Sequence, residues 1–158
     1  MRAMILAAGK GERMLPLTKT IPKPLLQAGG KPLIEYHIES LGRAGITEIV
    51  INTAKFGDMT ESRLGKGDNW QLNIMYSHEG DEPEGTGGGV KKALPLLGDE
   101  PFVLINADIW TDYDFRALTK PDDSLIHLVL VNNPPQHLQG DFCLQEDNVS
   151  LTGGARYT

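Results

Sequence analysis

Apolar residues along this 158-residue chain occur in two patterns, short runs and stripes with a helical period near 3.6. Continuous or alternating apolar runs predict five strands, at 4–8, 48–52, 72–77, 102–106 and 126–131. Helical stripes predict three helices, at 33–41, 59–64 and 89–97. In the third helix, the spacing turns Ala93, Leu94 and Leu97 toward the core. Strands that alternate with helices favour an α/β fold with a doubly wound, mainly parallel sheet.

The regular pattern ends before the chain does. From Pro134 onward it loosens, and the residues from Gly153 to Thr158 complete no element. No linker, repeat or low-complexity tract divides the sequence, and its length suits one domain. We therefore expect a single domain over 1–158 whose C-terminal part is missing.

The charge distribution favours a small anionic ligand. The formal net charge is −6, whereas a surface that binds nucleic acid needs a basic face. Four cations nevertheless lie close together in sequence, namely Lys10, Arg13, Lys19 and Lys23. The sequence thus argues against a nucleic-acid partner and predicts one basic mouth on an acidic protein.

Neither a membrane protein nor a secreted protein is predicted. No apolar run approaches the roughly 20 residues of a membrane span, and the N-terminus lacks the layout of a signal peptide. Cys143 is the single cysteine, which excludes an internal disulfide and indicates a reducing compartment. We expect a cytoplasmic protein, and the sequence is silent on its oligomeric state.

The segment after the first predicted strand has the composition of a phosphate-binding loop. Gly9 and Gly11 allow the backbone to approach a ligand and to turn N–H groups toward phosphate oxygens. Lys10, Arg13 and Lys23 can add charge-assisted hydrogen bonds. The spacing fits neither a Rossmann turn nor a P-loop, because the third glycine of the former and the Gly-Lys-Ser/Thr ending of the latter are absent. For the loop taken alone, a solvated glycine turn is the alternative.

A longer stretch carries a family resemblance. Residues 6–18 read L-A-A-G-K-G-E-R-M-L-P-L-T and are followed by P-K-P-L at 22–25, which resembles the signature of the sugar-phosphate nucleotidyltransferases. The resemblance implies the Rossmann-like fold of that family. It also implies that residues of this signature bind the nucleotide, namely Ala7, Ala8, Gly9, Gly11, Arg13 and Lys23. Arg13 and Lys23 are in addition implied as catalytic residues.

Asp108 follows the fourth predicted strand. At the carboxyl end of a parallel strand its carboxylate faces the ligand crevice, and Mg²⁺ is commonly held by one or two carboxylates plus substrate phosphates. An aspartate that caps the turn is the alternative. The segment 106–108 also resembles the family's N/G-x-D motif, which implies Asp108 as a catalytic Mg²⁺ ligand and Asn106 as a sugar contact. The second metal-binding aspartate of the family has no match in this chain.

A glycine-rich segment, 84–90, precedes the third predicted helix. A loop of this kind lets a flat base lie against the backbone, and a flexible connector is the alternative. The resemblance implies that Thr86, Gly87 and Gly88 bind the nucleotide through its base. It also implies that Gly140 and Asp141 lie near the sugar.

The family's reaction joins a nucleoside monophosphate from a nucleoside triphosphate to a sugar 1-phosphate and releases pyrophosphate. The runs 86–89 and 108–115 resemble members that use UTP and N-acetylmuramate 1-phosphate in bacterial cell-wall recycling. Gly85-Thr86 is closer to relatives that transfer guanylyl groups to mannose 1-phosphate, and Leu15 stands where a polar residue near the triphosphate is common. A catalytically silent nucleotide-binding sensor and a dinucleotide-dependent oxidoreductase are further alternatives. The four histidines have no metal-ligand spacing, and we expect them to be structural or exposed.

Overall fold

The computed structural model describes residues 1–80, 83–119 and 124–158. The chain divides into two compact units, Met1–Ala117 and Leu118–Thr158. The expectation of a single domain stays a prediction.

The first unit carries the alternating strands and helices. Its elements are β1 (Arg2–Leu6), β2 (Gln27–Ala28), β3 (Lys31–Pro32), α1 (Leu33–Arg43), β4 (Glu48–Thr53), α2 (Gly57–Leu64), β5 (Asn73–His78), α3 (Gly85–Leu97) and β6 (Phe102–Asn106). Short 3₁₀ turns at Glu12–Met14, Leu17–Lys19 and Lys23–Leu25 connect β1 to β2. The antiparallel hairpin of β2 and β3 turns at Gly29-Gly30, where both glycines have positive φ.

The central sheet is parallel throughout, with the strand order β5-β4-β1-β6. The predicted α/β fold with a doubly wound, mainly parallel sheet is therefore confirmed. The chain winds from β1 outward to β4 and β5 and then crosses to β6 on the other side of β1. With right-handed crossovers, this reversal places α1 and α2 on one face of the sheet and α3 on the other. An ion pair of 2.7 Å between Arg63 of α2 and Glu35 of α1 joins the two helices that share a face.

Helix α3 covers its face of the sheet with small and aliphatic side chains. Ala93 and Leu97 pack with Met4 of β1 and Val50 of β4, and all four are at most 1% exposed. Leu94 is 45% exposed, so its predicted inward orientation is wrong. It lies one residue beyond Ala93, about 100° further around the helix, and therefore outside the buried stripe.

The first strand begins and ends two residues earlier than predicted. It pairs with β6 from Arg2, and Ala7 and Ala8 have already left it, although both stay buried. The Ala7 N–H donates a 2.6 Å hydrogen bond to the side-chain oxygen of Asn52. Because an amide side chain accepts this bond, the Ala7 backbone can leave the sheet without leaving a buried donor unpaired.

Strand β6 forms an edge of this sheet. Val103 is 6% exposed, but its neighbour Leu104 is 44% exposed. The prediction of a buried strand is therefore wrong for one of the two faces of β6. A continuous apolar run indicates burial on both faces, but only neighbouring elements can provide it.

In the second unit, β7 (Phe142–Gln145) pairs antiparallel with both β8 (Asn148–Ser150) and β9 (Arg156–Tyr157). The predicted strand at 126–131 is wrong, because these residues have no regular secondary structure. Within the part of the chain that the structure describes, Val131 alone of these six residues exchanges backbone hydrogen bonds, and its partner is Thr158. Ile126 is 74% exposed, so the apolar run lacks both the ladder and the cover that a buried strand requires.

Candidate functional site

A cavity of about 740 Å³ opens at the carboxyl ends of the sheet strands, within the first unit. It lies where the winding reverses between β1 and β6, which is the usual position of a ligand in an open α/β sheet. The lining includes most of the residues predicted for the site, namely Ala7, Ala8, Gly9, Gly11, Arg13, Lys23, Thr86, Asn106 and Asp108. The fold thus gathers side chains from segments that are far apart in sequence.

The space around Gly9 and around Gly11 differs, so the two positions require glycine for different reasons. Gly11 has a φ of +68°, and a Cβ there would come within 2.9 Å of the Thr18 methyl carbon. The Thr18 hydroxyl donates a 2.7 Å hydrogen bond to the Gly11 carbonyl, which fixes this turn. At Gly9, in contrast, a Cβ would meet nothing within 4 Å. Gly9 lines the cavity, so the absence of its side chain enlarges the space for a ligand and is not required by packing within the protein.

Lys23 and Asp108 meet at the cavity although they are 85 residues apart. The Lys23 ammonium donates a hydrogen bond to Oδ2 of Asp108, and both side chains are partly buried. Lys23 begins the 3₁₀ turn Lys23–Leu25, which includes the buried Pro24. The proline-flanked turn and the end of β6 therefore bring a cation and an anion to the same rim.

The donor set of this rim fits Mg²⁺. Asp108 offers a carboxylate that already binds one cation, the Lys23 ammonium. Among the described residues, no group of three or more His, Cys, Asp or Glu residues could hold a metal ion by itself. Mg²⁺ needs no such group, because it retains waters and is usually held by one or two carboxylates together with substrate phosphates.

Arg13 provides an available positive charge at the same cavity. Within the described part of the chain, no hydrogen bond or ion pair engages its guanidinium, which lies in an exposed 3₁₀ turn. A guanidinium presents five donors in a planar fork that matches phosphate oxygens. With Lys10 and Lys23 also in the lining, three of the four cations predicted to form the basic mouth lie at this cavity, whereas Lys19 lies outside the lining.

A buried polar pair, Asn52 and Glu79, lies at the base of the cavity and was not predicted. Asn52 donates a 2.6 Å hydrogen bond to Glu79 Oε1, and Glu79 Oε2 accepts one of 2.8 Å from the Glu84 N–H. The two side chains are 3% and 7% exposed. Asn52 lies at the carboxyl end of β4 and Glu79 directly after β5. The sequence carried this signal, because polar residues that end apolar parallel strands meet at the ligand edge of the sheet.

Gly89 makes the close approach of α3 to this pair possible. A Cβ at Gly89 would lie 2.4 Å from Glu79 Oε1 and 2.9 Å from Asn52 Nδ2. The prediction of a loop over 84–90 is wrong, because α3 begins at Gly85 and the glycines form its first turns. Glycine usually disfavours a helix, but here the packing against the polar pair requires it. Thr86 lines the cavity in this first turn, whereas Gly87 and Gly88 lie outside the lining.

Gly140 and Asp141, predicted near the sugar, belong to the second unit. Gly140 has a φ of +59°, and a Cβ there would come within 2.6 Å of Asn133 Oδ1 and 2.9 Å of the Tyr157 carbonyl oxygen. Asp141 Oδ1 lies 3.1 Å from Nε2 of His137. The positive φ and the close neighbours within the second unit thus explain the glycine at position 140. The sugar contacts of Gly140 and Asp141 stay predictions.

The nucleotidyl transferase family matches residues 2–137 of the chain. The chain belongs to this family. It is 52% identical to the N-acetylmuramate alpha-1-phosphate uridylyltransferase of Neisseria meningitidis over 153 residues. The matched region covers 94% of this chain and 66% of that protein. It is 38% identical over 145 residues to the mannose-1-phosphate guanyltransferase of Aspergillus oryzae, covering 87% of this chain and 40% of that protein. The chain therefore spans less than two thirds of the length of these relatives.

A solved structure shares the fold. It is a protein from Bacillus anthracis described as a glucose-1-phosphate thymidylyltransferase and crystallised with sucrose. The TM-score is 0.67 and the identity 34%, over 73% of this chain and 47% of that one. In the ranges 1–80, 83–119 and 124–158, no helix combines the length and the apolar composition of a membrane span.

Proposed function

We propose that this chain forms the nucleotide-binding part of an enzyme that joins UMP from UTP to N-acetylmuramate 1-phosphate and releases pyrophosphate. The meeting of Lys23 and Asp108 at the rim of the cavity supports this proposal most directly. A glycine loop behind β1, a cation and a carboxylate then face one ligand-sized space. The identity of 52% with a uridylyltransferase supports the choice of UTP and of the acceptor.

The nucleophile in this reaction needs no activation by a base. A phosphate oxygen of the sugar 1-phosphate, already an anion, attacks the α-phosphorus of UTP. The new bond forms to that phosphorus while its bond to the bridging oxygen of the β-phosphate breaks, and the electron pair leaves with pyrophosphate. Catalysis then depends on positioning the two phosphates and on neutralising their charge.

The residues of the cavity divide this task. The N–H groups of the turn 9–11 and the Arg13 guanidinium bind the β- and γ-phosphates, which become the leaving group. Lys23 leaves Asp108 to bind the phosphates at the reacting centre, and Asp108 is the residue that would hold Mg²⁺. When bound there, Mg²⁺ supplies positive charge next to the reacting phosphate oxygens. Preorganised charges of this kind are worth about 10² to 10³ each in turnover.

The uracil base would lie against the first turn of α3. Thr86 borders the cavity there, and the free N–H groups of a helix N-terminus favour polar acceptors. The Asn52–Glu79 pair supports this turn through its bond to the Glu84 N–H. For the acceptor, Asn106 ends β6 at the lining, and we place the sugar on its side. The single cysteine agrees with an enzyme of cell-wall recycling in the cytoplasm.

A guanylyltransferase is the second candidate, because a mannose-1-phosphate guanyltransferase is 38% identical and Gly85-Thr86 resembles that group. Calorimetric binding of UTP and GTP to this chain, each with Mg²⁺, separates the two. We expect UTP to bind more tightly, and tighter binding of GTP would overturn the choice of base.

The reaction itself is tested by pyrophosphate release. The complete product of the encoding gene is assayed with four triphosphates and a panel of sugar 1-phosphates. We expect the highest rate with UTP and N-acetylmuramate 1-phosphate. Binding of a nucleotide without release of pyrophosphate from any pair would instead indicate a catalytically silent sensor.

A further inference from the structure

His37 interrupts an otherwise apolar buried face. It lies on α1 among Ile34, Ile38 and Leu41, which are fully buried, and is itself only 2% exposed. A leucine at this position would continue the apolar stripe and lose no solvation on burial. A histidine buried there requires a polar partner, and the identity of that partner indicates its role.

The partner of His37 lies next to Asp108. Nε2 of His37 is 2.6 Å from the carbonyl oxygen of Ile109, across 72 residues of sequence. A carbonyl oxygen can only accept, so Nε2 carries the proton and donates it. Burial lowers the pKa of His37, so the imidazole is neutral near pH 7. The bond links α1 to the carbonyl of the residue immediately after the proposed metal ligand.

Among the described residues, few other hydrogen bonds restrain the turn that carries Asp108. Ala107 donates a 3.0 Å bond to the Leu6 carbonyl, but the next bond, from Ile109 N to the Asn106 carbonyl, is long at 3.4 Å. The side chain of Asp108 is held by Lys23, which the proposed reaction requires at the phosphates. When Lys23 moves to a phosphate, the bond from His37 continues to restrain the turn.

We propose that His37 is a positioning residue, which holds the turn after β6 so that the Asp108 carboxylate stays directed at the nucleotide. This inference rests on the proposed function of Asp108. His37 does not line the cavity and needs no contact with substrate. It acts through the Ile109 carbonyl, so any side chain that donates a hydrogen bond to the same oxygen can replace it.

Three substitutions distinguish positioning from packing. His37→Leu fills the space but donates nothing. His37→Gln has an amide N–H that can reach a position near that of Nε2, and His37→Asn has the same amide on a shorter stem. If the leucine variant does not fold, the comparison of glutamine with asparagine still tests the proposal, because both bury an amide and only the former reaches Ile109.

The turn can be observed without any ligand. Trp110 follows Ile109 directly and is 69% exposed. The chain has two tryptophans, so the substitution Trp70→Phe leaves Trp110 as the single one. Time-resolved fluorescence anisotropy of Trp110 then measures the motion of the turn. We expect faster local motion in His37→Leu and His37→Asn, and wild-type motion in His37→Gln. Equal anisotropy in all four proteins would overturn the proposal.

Binding of Mn²⁺ with UTP, measured by electron paramagnetic resonance, is the second readout. Loss of a group that orients a metal ligand commonly costs about 10- to 100-fold in metal affinity, and we expect this in the leucine and asparagine variants. The glutamine variant should recover wild-type affinity. Variants that lose only thermal stability, with unchanged Mn²⁺ affinity, would show a packing role. Failure of the wild type to bind Mn²⁺ and UTP would reject the proposed function, whereas the anisotropy series would still test His37.

Discussion

Lys23 and Asp108 form an ion pair at the mouth of the cavity, and the pair joins the proline-flanked turn before β2 to the end of β6. The ammonium occupies Oδ2 of the carboxylate that would hold Mg²⁺. A metal ion held by Asp108 would therefore compete with Lys23 for this carboxylate. Since Lys23 is also proposed to bind phosphate, its transfer from Asp108 to the nucleotide would free the carboxylate when the substrate arrives.

This competition predicts that Lys23→Met has two effects of opposite sign. Without nucleotide, Mn²⁺ should bind Asp108 more tightly, by up to about fivefold, because a partly exposed ion pair is worth about 1 kcal/mol or less. Turnover should fall by about 10² to 10³, because a charge at the reacting phosphates is lost. Electron paramagnetic resonance measures the first effect and pyrophosphate release the second. Lys19→Met, at an exposed lysine outside the cavity lining, is the control, and Mn²⁺ binding that weakens in Lys23→Met would contradict the competition.

Asp108→Asn should remove metal binding while leaving the fold intact. The amide keeps the shape of the side chain, but it has no charge to offer a divalent cation, and Asp108 is partly exposed. We expect Mn²⁺ binding in the presence of UTP to fall by at least tenfold, because loss of a group that only orients a metal ligand already costs about 10- to 100-fold in metal affinity. Asp114→Asn is the matched control, because Asp114 pairs with Arg116 on the surface. An equal loss in both variants would show that the acidic run acts as a whole and not through Asp108.

Gly9 and Gly11 lie in the turn proposed to bind phosphate, and they should respond differently to substitution by alanine. Gly11→Ala places a Cβ at positive φ against Thr18 and should lower the free energy of unfolding by about 1 to 2 kcal/mol. Gly9→Ala meets open space and should leave stability within about 0.5 kcal/mol. Because its methyl group enters the cavity, Gly9→Ala should instead weaken UTP binding. Urea unfolding measures stability and calorimetry measures UTP binding. A stable Gly9→Ala variant with unchanged UTP affinity would show that this turn does not contact the nucleotide.

Much of this site was accessible from the sequence because parallel strands deliver their carboxyl ends to one edge. The apolar runs before Gly9 and Asp108 predicted that the two segments meet, and the cavity lies between them. The burial of β6 and the run 126–131 was not predictable in the same way. An apolar run indicates that a strand would be stable if it were buried, whereas its hydrogen-bonded pairing and its burial depend on the rest of the fold.

The glycine-rich segment shows a different limit. Sequence alone cannot distinguish a glycine that allows a loop from one that allows close packing, since both lack Cβ. Gly89 packs against Asn52 and Glu79, and each of these residues is polar, buried and distant in sequence. The sequence places both polar residues at strand ends, but their contact with Gly89 depends on the positions of β4, β5 and α3.

Alanine substitutions in α3 test this packing directly. Gly89→Ala forces a Cβ to within 2.4 Å of Glu79 Oε1, and overpacking of this kind costs about 1 to 3 kcal/mol. At Gly87 a Cβ meets nothing within 4 Å, so Gly87→Ala should stabilise the helix by about 0.5 to 1 kcal/mol. Thermal unfolding of both variants measures the difference. A destabilising Gly87→Ala together with a neutral Gly89→Ala would contradict the arrangement described for α3.

The buried His37 predicts how stability depends on pH. In the unfolded chain a histidine has a pKa of about 6.5, whereas in the folded chain burial lowers the pKa of His37, opposed in part by the Ile109 carbonyl and the Asp108 charge. As pH falls below about 6.5, the unfolded state takes up a proton that the folded state excludes. The stabilising contribution of neutral His37 is therefore present above that pH and is lost as pH falls toward its folded pKa.

The variant His37→Gln cannot titrate at this position, so it isolates the effect from those of the other histidines and the carboxylates. The free energy of unfolding, measured with urea from pH 7.5 to 5, should fall more steeply for the wild type than for His37→Gln. The excess slope should reach at most about 1.4 kcal/mol per pH unit, the limit for one proton. Because the variant keeps a donor to Ile109, it should retain the fold throughout this range. If the difference in free energy of unfolding between the two proteins stays constant, or grows in favour of the wild type at low pH, His37 is charged in the folded state at that pH. This result would contradict a neutral His37 that donates to Ile109.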